Sequence, residues 1–367
     1  MKISKIQNSN MSYPIFVGNG AINMLGKKIN FYCENASKVA VILDKNVPQK
    51  FKKILKKQLK KYKIYIYEYR VNENLKSFKK VNLLAEKLIK NNFNRSDVIV
   101  AVGGGIVGDF SGFVASILKR GICLVNVPTT LLAQVDSSVG GKTGINTKNG
   151  KNLIGSFYQP KIVISELKFL ESLSKRNIIC GFAEILKHSL IHDQRFFNWI
   201  KKNSKKIIEE KKSDVLKIAI IKSCKIKIFF VSGDEKEKNK RMILNFGHTF
   251  AHGIEAANNF SRKANHGEAV LLGMHLAIKL SYEKKLCSIS TLDEVKNFYY
   301  KNNLPLNVNK YLVKRSLSKI VKYMISDKKN IDEKINFILL KKIGKTYQPG
   351  KYKMKPDEIY RFIKKVR

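Results

Sequence analysis

The chain of 367 residues is short of acidic residues, histidine and cysteine, and it has no long apolar run. No stretch approaches the roughly 20 consecutive apolar residues that a membrane helix needs, and the N-terminus shows no uninterrupted apolar segment of secretory type. The expectation is a soluble, cytoplasmic protein without a membrane partner. Its five cysteines, Cys33, Cys123, Cys180, Cys224 and Cys287, form no Cys-x-x-Cys pair and are odd in number, which points to reduced thiols rather than a disulfide framework. Acidic residues number 28 against 71 basic ones, a net charge of +43. Such an excess ordinarily suggests nucleic acid or an anionic membrane. Here all but ten of the basic residues are lysine, spread along the whole chain beside abundant Asn and Ile, which fits the codon bias of an AT-rich genome better than a focused basic patch. The tracts Lys50 to Lys63 and Lys201 to Lys212 alternate lysine with apolar residues at helical spacing, as solvated helix faces do. No specific nucleic-acid partner is expected, although so much charge attracts polyanions at low salt.

What is present describes a globular chain of about two domains, large enough to bury a sizeable core. Val39 to Asp44, Ile64 to Tyr69, Val98 to Val102 and Ile122 to Val127 read as buried strands, with helical patterns at about 48–61 and 77–92. Alternation of this kind predicts an α/β domain with a doubly wound, Rossmann-like parallel sheet over residues 1–174. From Lys175 to the last residue, 175–367, the pattern is one of amphipathic helices, with no strand until Ile335 to Leu340.

Two features carry chemistry. Directly after the strand at 98–102 comes Gly103-Gly104-Gly105-Ile106-Val107-Gly108-Asp109, a Gly-x-Gly-x-x-Gly turn that lets a backbone close on a pyrophosphate at a helix N-terminus. A tight turn is the plain alternative, and the usual acid about twenty residues later is missing. Asp44, at the end of an earlier strand, supplies a carboxylate for a ribose diol and favours NAD over NADP. The second feature is histidine. Three of the six in the chain, His248, His252 and His266, fall in Gly247-His248-Thr249-Phe250-Ala251-His252 and His266-Gly267-Glu268-Ala269-Val270. His248 and His252 share one helix face, and His266 is expected from a loop. They suit a metal, or else they are partly buried helix histidines, since the Glu of a His-Glu-x-x-His zincin is absent.

Further segments decide between these readings. They are Val127-Pro128-Thr129-Thr130-Leu131-Leu132-Ala133-Gln134-Val135-Asp136, Gly140-Gly141-Lys142-Thr143-Gly144, Gly150-Lys151-Asn152-Leu153-Ile154-Gly155, Gly181-Phe182-Ala183-Glu184-Ile185-Leu186-Lys187 and Asp327-Lys328-Lys329. Together with the two histidine segments, in this order and spacing, they closely resemble the 3-dehydroquinate synthase family of the shikimate pathway, over nearly the whole chain.

The resemblance implies a lyase acting on 3-deoxy-D-arabino-heptulosonate 7-phosphate with catalytic NAD and a divalent metal, zinc or in its place cobalt. It implies metal ligation by Glu184, His248 and His266, a set with two imidazoles and one carboxylate that suits a catalytic zinc. His252, Lys142, Lys187 and Asn152 are the implied catalytic residues. The implied cofactor site draws on Asp44, Glu73, Lys76, Gly104, Gly105, Gly108, Asp109, Thr129, Thr130, Asp136, Lys142, Lys151, Phe169 and Ser172. The implied substrate site draws on Arg120, Lys151, Asn152, Lys227, Arg241, Asn245 and Lys328, with Arg120 supplied across the interface of a homodimer. A solvated helix face is the alternative for Lys227, and a surface ion pair for Glu184 with Lys187. Two positions depart from the family: Val71-Asn72 stands where Asp-Gly is usual, Asn being tolerant of a left-handed backbone, and His188 follows Lys187 where tyrosine is usual. Sugar-phosphate cyclases that make inosose-type rings and metal-dependent polyol dehydrogenases are the enzyme alternatives. A basic nucleic-acid-binding protein is the non-enzyme one.

Overall fold

The computed structural model describes residues 3–6, 13–258, 264–310, 317–325 and 334–366. By its contacts the chain divides into a first unit, Met1–Ile178 with Lys211–Lys236, and a second, Ile179–Glu210 with Glu237–Arg367.

The strands of the first unit are β1 (Ser4–Ile6), β2 (Ile15–Gly18), β3 (Lys38–Asp44), β4 (Lys63–Tyr69), β5 (Val98–Gly103), β6 (Cys123–Pro128), β7 (Lys142–Thr147), β8 (Gly150–Phe157) and β9 (Ile162–Glu166). Seven of them form one sheet in the order β1-β2-β9-β6-β5-β3-β4, parallel except for the β1–β2 pair, while β7 and β8 make a separate antiparallel hairpin. The near-continuous apolar runs of β3, β5 and β6 are explained by helices on both faces. Val39, Val41, Leu43, Val98, Val100 and Val102 face one core with Leu25 and Ile29 of α1 (Leu25–Tyr32) and Phe51 and Leu55 of α2 (Gln49–Gln58). Their neighbours Ala40, Ile42, Ile99 and Ala101 face the other core with Val81, Leu84 and Leu88 of α3 (Phe78–Lys90) and Val107, Phe110 and Val114 of α4 (Gly105–Ile117). This is the doubly wound arrangement the alternation predicts. The four strands expected from the sequence leave out β2 and β9, short but fully buried and mostly apolar runs, and the hairpin. β8 has no buried residue, and its apolar Leu153 and Phe157 are exposed.

The second unit is mostly helical. Its helices are α5 (Lys175–His192), which begins within the first unit, α6 (Gln194–Ile208), α8 (His248–Ala257), α9 (His266–Glu283), α10 (Ile289–Lys301), α11 (Leu317–Ile325) and α12 (Pro356–Val366); the intervening α7 (Ser213–Val231) belongs to the first unit. The expected strand at Ile335 to Leu340 is two short ones, β10 (Ile335–Phe337) and β11 (Leu340–Lys342), which pair with β13 (Tyr352–Met354) and β12 (Lys345–Thr346). Two glycine contacts set how closely three helices approach. A Cβ at Gly267 would stand 2.3 Å from the Cα of Cys180 on α5, and one at Gly273 would stand 2.1 Å from the carbonyl oxygen of Gly247, which precedes α8. Only glycine permits either approach, and the helices that meet there carry Glu184 in the middle of α5 and His248 and His266 at the starts of α8 and α9.

Candidate active site

In the second unit Glu184 and Lys187 lie on a stretch of α5 whose apolar residues Phe182, Ala183, Ile185 and Leu186 are fully buried. Lys187 Nζ pairs with Glu184 Oε2, the two side chains being 2% and 0% exposed, so the pair is not the surface ion pair left open by the sequence. Charges withdrawn this far from water are tolerated only when paired. His188 is equally buried.

His248 is the first residue of α8, entered through Gly247 at φ 79°. The His252 ring lies one turn on, 5.6 Å away between centroids and nearly perpendicular at 87°. His266 does not come from a loop. It is the first residue of α9, held there by a capping box in which Asn265 and Glu268 bond each other's backbone, which also accounts for the Glu of the His-Gly-Glu segment.

Glu184 Oε1 is 3.6 Å from His248 Nε2 and 3.7 Å from His266 Nε2. These spacings are long for hydrogen bonds but near the edge of a tetrahedron with metal–ligand bonds of about 2.0–2.2 Å. The far side of each ring also has a partner: His248 Nδ1 lies 3.3 Å from the Phe246 carbonyl, and His266 Nδ1 lies 3.6 Å from Glu255 Oε1. Such outer partners favour the tautomer whose Nε2 lone pair faces a metal. Burial pushes the Glu184 carboxyl up, but Lys187 and then the two histidines hold it well below the usual range. Burial, then Lys187, holds His248 well below its usual value and so neutral. Against burial, Glu184 and then Glu255 hold His266 well above its usual value. Anionic carboxylate, neutral imidazole and outer carboxylate together fit a divalent ion. Glu255 escapes the motif reading, yet the spacing signals it: positions 248, 252 and 255 share one helix face.

In the first unit Gly104 caps α4 without any side-chain bond to the first turn, leaving backbone N–H groups for an anion. A Cβ at Gly108 would meet nothing within 4 Å, whereas at Gly104 it would come to 3.2 Å from Thr130 Cγ2. There is thus open space beside the turn and close packing beneath it, which suits a bound pyrophosphate. Lys76, 4% exposed, bonds both Asp109 Oδ2 and Asn152 Oδ1. Glu73 accepts from Asn146 Nδ2 at 2.8 Å and Lys151 Nζ at 3.0 Å, and Asn146 Oδ1 accepts from the Asn152 backbone at 3.1 Å. Burial raises the Asp109 carboxyl despite Lys76, while Lys151 and Asn146 hold Glu73 below its usual value against burial. Asn72 needs no left-handed backbone: it is extended at φ −154° and caps the turn Glu73–Leu75 by accepting from Asn74.

The remaining implied residues are placed as follows. Lys227 is not on a solvated face, being 7% exposed with Nζ 2.6 Å from Asp136 Oδ1 and 2.7 Å from its carbonyl. Thr129 donates its N–H to Gly103 O at 2.9 Å, which ties the end of β6 to the glycine turn. Asp44 ends β3 with Oδ1 accepting from Asn46 at 2.9 Å. The Phe169 ring packs in the core against Phe51, and Ser172 bonds the Phe169 carbonyl, so any cofactor contact by Phe169 falls to its backbone. Lys142 is exposed and follows Gly140 and Gly141, both at positive φ. Arg120 is exposed in a left-handed turn, φ 63° between Lys119 at 51° and Gly121 at 121°. In the second unit Arg241 is 1% exposed and Asn245 donates to Glu237 Oε1 at 2.5 Å. Lys328 lies outside the described residues.

Known proteins match this chain along its length. Family profiles for the 3-dehydroquinate synthase N-terminal and C-terminal domains match residues 66–180 and 181–330. A 3-dehydroquinate synthase of Pelagibacter ubique is 46% identical over 366 residues, 98% of this chain and 97% of that protein. A crystal structure of 2-deoxy-scyllo-inosose synthase complexed with carbaglucose-6-phosphate, NAD+ and Co2+ superposes with TM-score 0.87 at 26% identity, covering 99% of this chain and 100% of that one. An iron-containing alcohol dehydrogenase from Thermotoga maritima shares the fold at TM-score 0.67 and 18% identity, over 98% and 99% of the two chains. With domain profiles in the right order and a relative of this identity spanning it almost end to end, the chain belongs to the 3-dehydroquinate synthase family.

Proposed function

We propose that the chain converts 3-deoxy-D-arabino-heptulosonate 7-phosphate to 3-dehydroquinate and phosphate, with NAD and one divalent metal, zinc or cobalt, as resident cofactors, acting as a cytoplasmic homodimer. When bound, NAD supplies a reversible hydride acceptor and the metal a Lewis acid for substrate hydroxyls. Glu184, His248 and His266 hold the metal, and Lys187 keeps Glu184 anionic and adds positive charge beside the oxygen to be deprotonated. His252, one turn from His248, moves that proton. The substrate phosphate takes the proton of the neighbouring C–H as it leaves. Lys142, Lys151 and Asn152 receive the phosphate, joined by Arg120 of a second copy. Arg241, Asn245 and Lys227 receive the carboxylate and ring hydroxyls, since a buried guanidinium suits an anion. Glu73, Lys76, Asp109 and the glycine turn hold NAD. Ile117 and Phe157, exposed in the first unit, offer apolar surface for the homodimer.

The observation that carries this reading is the buried Glu184–Lys187 pair set against His248 and His266, in a chain 46% identical to a 3-dehydroquinate synthase. The test is phosphate release from the heptulosonate phosphate. Sub-stoichiometric NAD should support many turnovers without net NADH. Stoichiometric NADH would mark an ordinary dehydrogenase, and turnover of a hexose phosphate in preference to the heptulosonate would mark an inosose-type cyclase.

A further inference from the structure

The hairpin of β7 and β8 is regular at its open end and breaks register near its turn. Lys142 to Ile145 pair one for one with Phe157 to Ile154, and Thr147 pairs with Gly150, so Asn146 alone stands opposite Lys151, Asn152 and Leu153. Extra residues on one strand leave the ladder and bend that strand. Asn152 carries the bend at φ 55°, a left-handed conformation that asparagine tolerates better than most residues with a side chain.

The Asn146 side chain takes up what the ladder gives up. Its Oδ1 accepts the Asn152 N–H at 3.1 Å. Its Nδ2 reaches the other way, donating to Glu73 Oε2 at 2.8 Å and to the Glu73 carbonyl at 3.3 Å, and its backbone N–H donates to Lys76 O at 2.8 Å. Both ends of the carboxamide are thus engaged. The side chains of the bulge cross to the same turn: Lys151 Nζ lies 3.0 Å from Glu73 Oε1, and Asn152 Oδ1 accepts from Lys76 Nζ. Asn146 therefore joins the turn that carries Glu73 and Lys76 to the bulge that carries Lys151 and Asn152.

We propose, on the reading of Lys151 and Asn152 as phosphate ligands, that Asn146 is the positioning residue for the phosphate end of the site, holding the bulge bent and sharing the Glu73 carboxylate with Lys151. Without its Oδ1 the Asn152 N–H turns to water, and the left-handed bend loses the bond that fixes it. Without its Nδ2, Glu73 has one donor fewer and holds the Lys151 ammonium more firmly, away from a second anion. Both losses fall on phosphate. Asn146 itself touches neither phosphate nor cofactor and acts through its neighbours.

The test compares full-length, zinc-loaded wild type with Asn146→Ala. Inorganic phosphate is titrated calorimetrically into the NAD-loaded protein, NAD into protein stripped of it, and backbone amide exchange is followed at Asn152. Asn146→Ala should weaken phosphate about tenfold or more, the worth of one charge-assisted hydrogen bond, and NAD by less than about threefold. The Asn152 amide should lose its protection, and Asn146→Asp, which keeps the accepting oxygen, should restore it. In a Lys151→Ala background, Asn146→Ala should cost phosphate binding about threefold or less, because the two substitutions share one contact network. A scaffold role alone would lower the melting temperature and move none of these. Should Asn146→Ala fail to fold, Asn146→Thr, whose branched side chain suits a strand but cannot span both partners, takes its place. No phosphate binding by wild type, unchanged phosphate affinity in the variant, equal losses of phosphate and NAD, full additivity with Lys151→Ala, or a protected Asn152 amide in Asn146→Ala would each overturn the proposal. Phosphate bound by wild type and lost by the variant, in a protein inert toward the heptulosonate phosphate, would uphold Asn146 in this role and overturn the proposed activity instead.

Discussion

Lys187 Nζ and Glu184 Oε2 meet on one face of α5 with neither side chain in contact with bulk water. Removing one partner of a buried pair strands the other charge, at a cost of about 3–5 kcal/mol. Lys187→Met should therefore lower the melting temperature of the metal-free protein sharply. Added zinc should restore much of that loss, because the ion supplies the positive charge Glu184 then lacks. The metal-loaded variant should still lose about 10²- to 10⁴-fold in kcat, the range for a group that assists proton transfer. Melts with and without zinc, beside steady-state rates, separate the two effects. Normal kcat in the loaded variant would confine Lys187 to stability.

Glu255 stands 3.6 Å from His266 Nδ1, on the side of the ring away from Glu184. Loss of such an outer carboxylate typically costs about 10- to 100-fold in metal affinity. Glu255→Ala should show that loss in chelator competition, with kcat near wild type once the site is saturated. Glu255→Gln, which keeps an acceptor oxygen, should recover most of the affinity. Equal affinity in wild type and Glu255→Ala would leave His266 oriented by α9 alone.

Lys76 joins Asp109 to Asn152 at 4% exposure, and burial already raises the Asp109 carboxyl. Lys76→Met should raise the Asp109 carboxyl further, by removing the neighbouring charge that opposes its burial, and should release the Asn152 side chain. We expect the KM for NAD to rise about tenfold or more, equivalent to roughly 1.4 kcal/mol or above. Metal content should stay at one per chain. Unchanged KM for NAD, measured with enzyme stripped of cofactor, would remove Lys76 from the NAD site.

The parallel sheet was legible because β3, β5 and β6 are covered on both faces, so their apolar runs are unbroken. The β7–β8 hairpin was not, because only Gly144 and Ile145 of β7 are buried and β8 has no buried residue, so neither strand shows a run of core positions. His248 and His252 were readable from helical spacing alone. The closeness of Glu184 was not, since it depends on Gly267 against Cys180 and Gly273 against Gly247, contacts between helices that no local pattern encodes. Asn72 shows the opposite failure. Its residue type would tolerate a left-handed turn, yet its side chain serves as a cap in extended backbone.

His275 on α9 is a half-buried histidine whose Nδ1 is shut off from solvent and has no partner among the described residues, with the Tyr299 ring 6.2 Å away. Burial, and then Lys279 and Lys296, holds its pKa down to about 4. The unfolded chain binds the proton near the usual value of about 6.5, so between these limits the unfolded state carries the extra proton. Stability from neutral His275 is thus fully present above about pH 6.5 and is lost as pH falls toward 4, a drop of about 3 kcal/mol when complete. Denaturant unfolding at several pH values in that window should show wild type weakening steeply. His275→Leu, apolar and with no proton to gain, should flatten the slope by that amount while leaving stability at neutral pH within about 1.5 kcal/mol. If the two profiles stay parallel, the acid sensitivity lies in other groups and His275 is not the desolvated base described here.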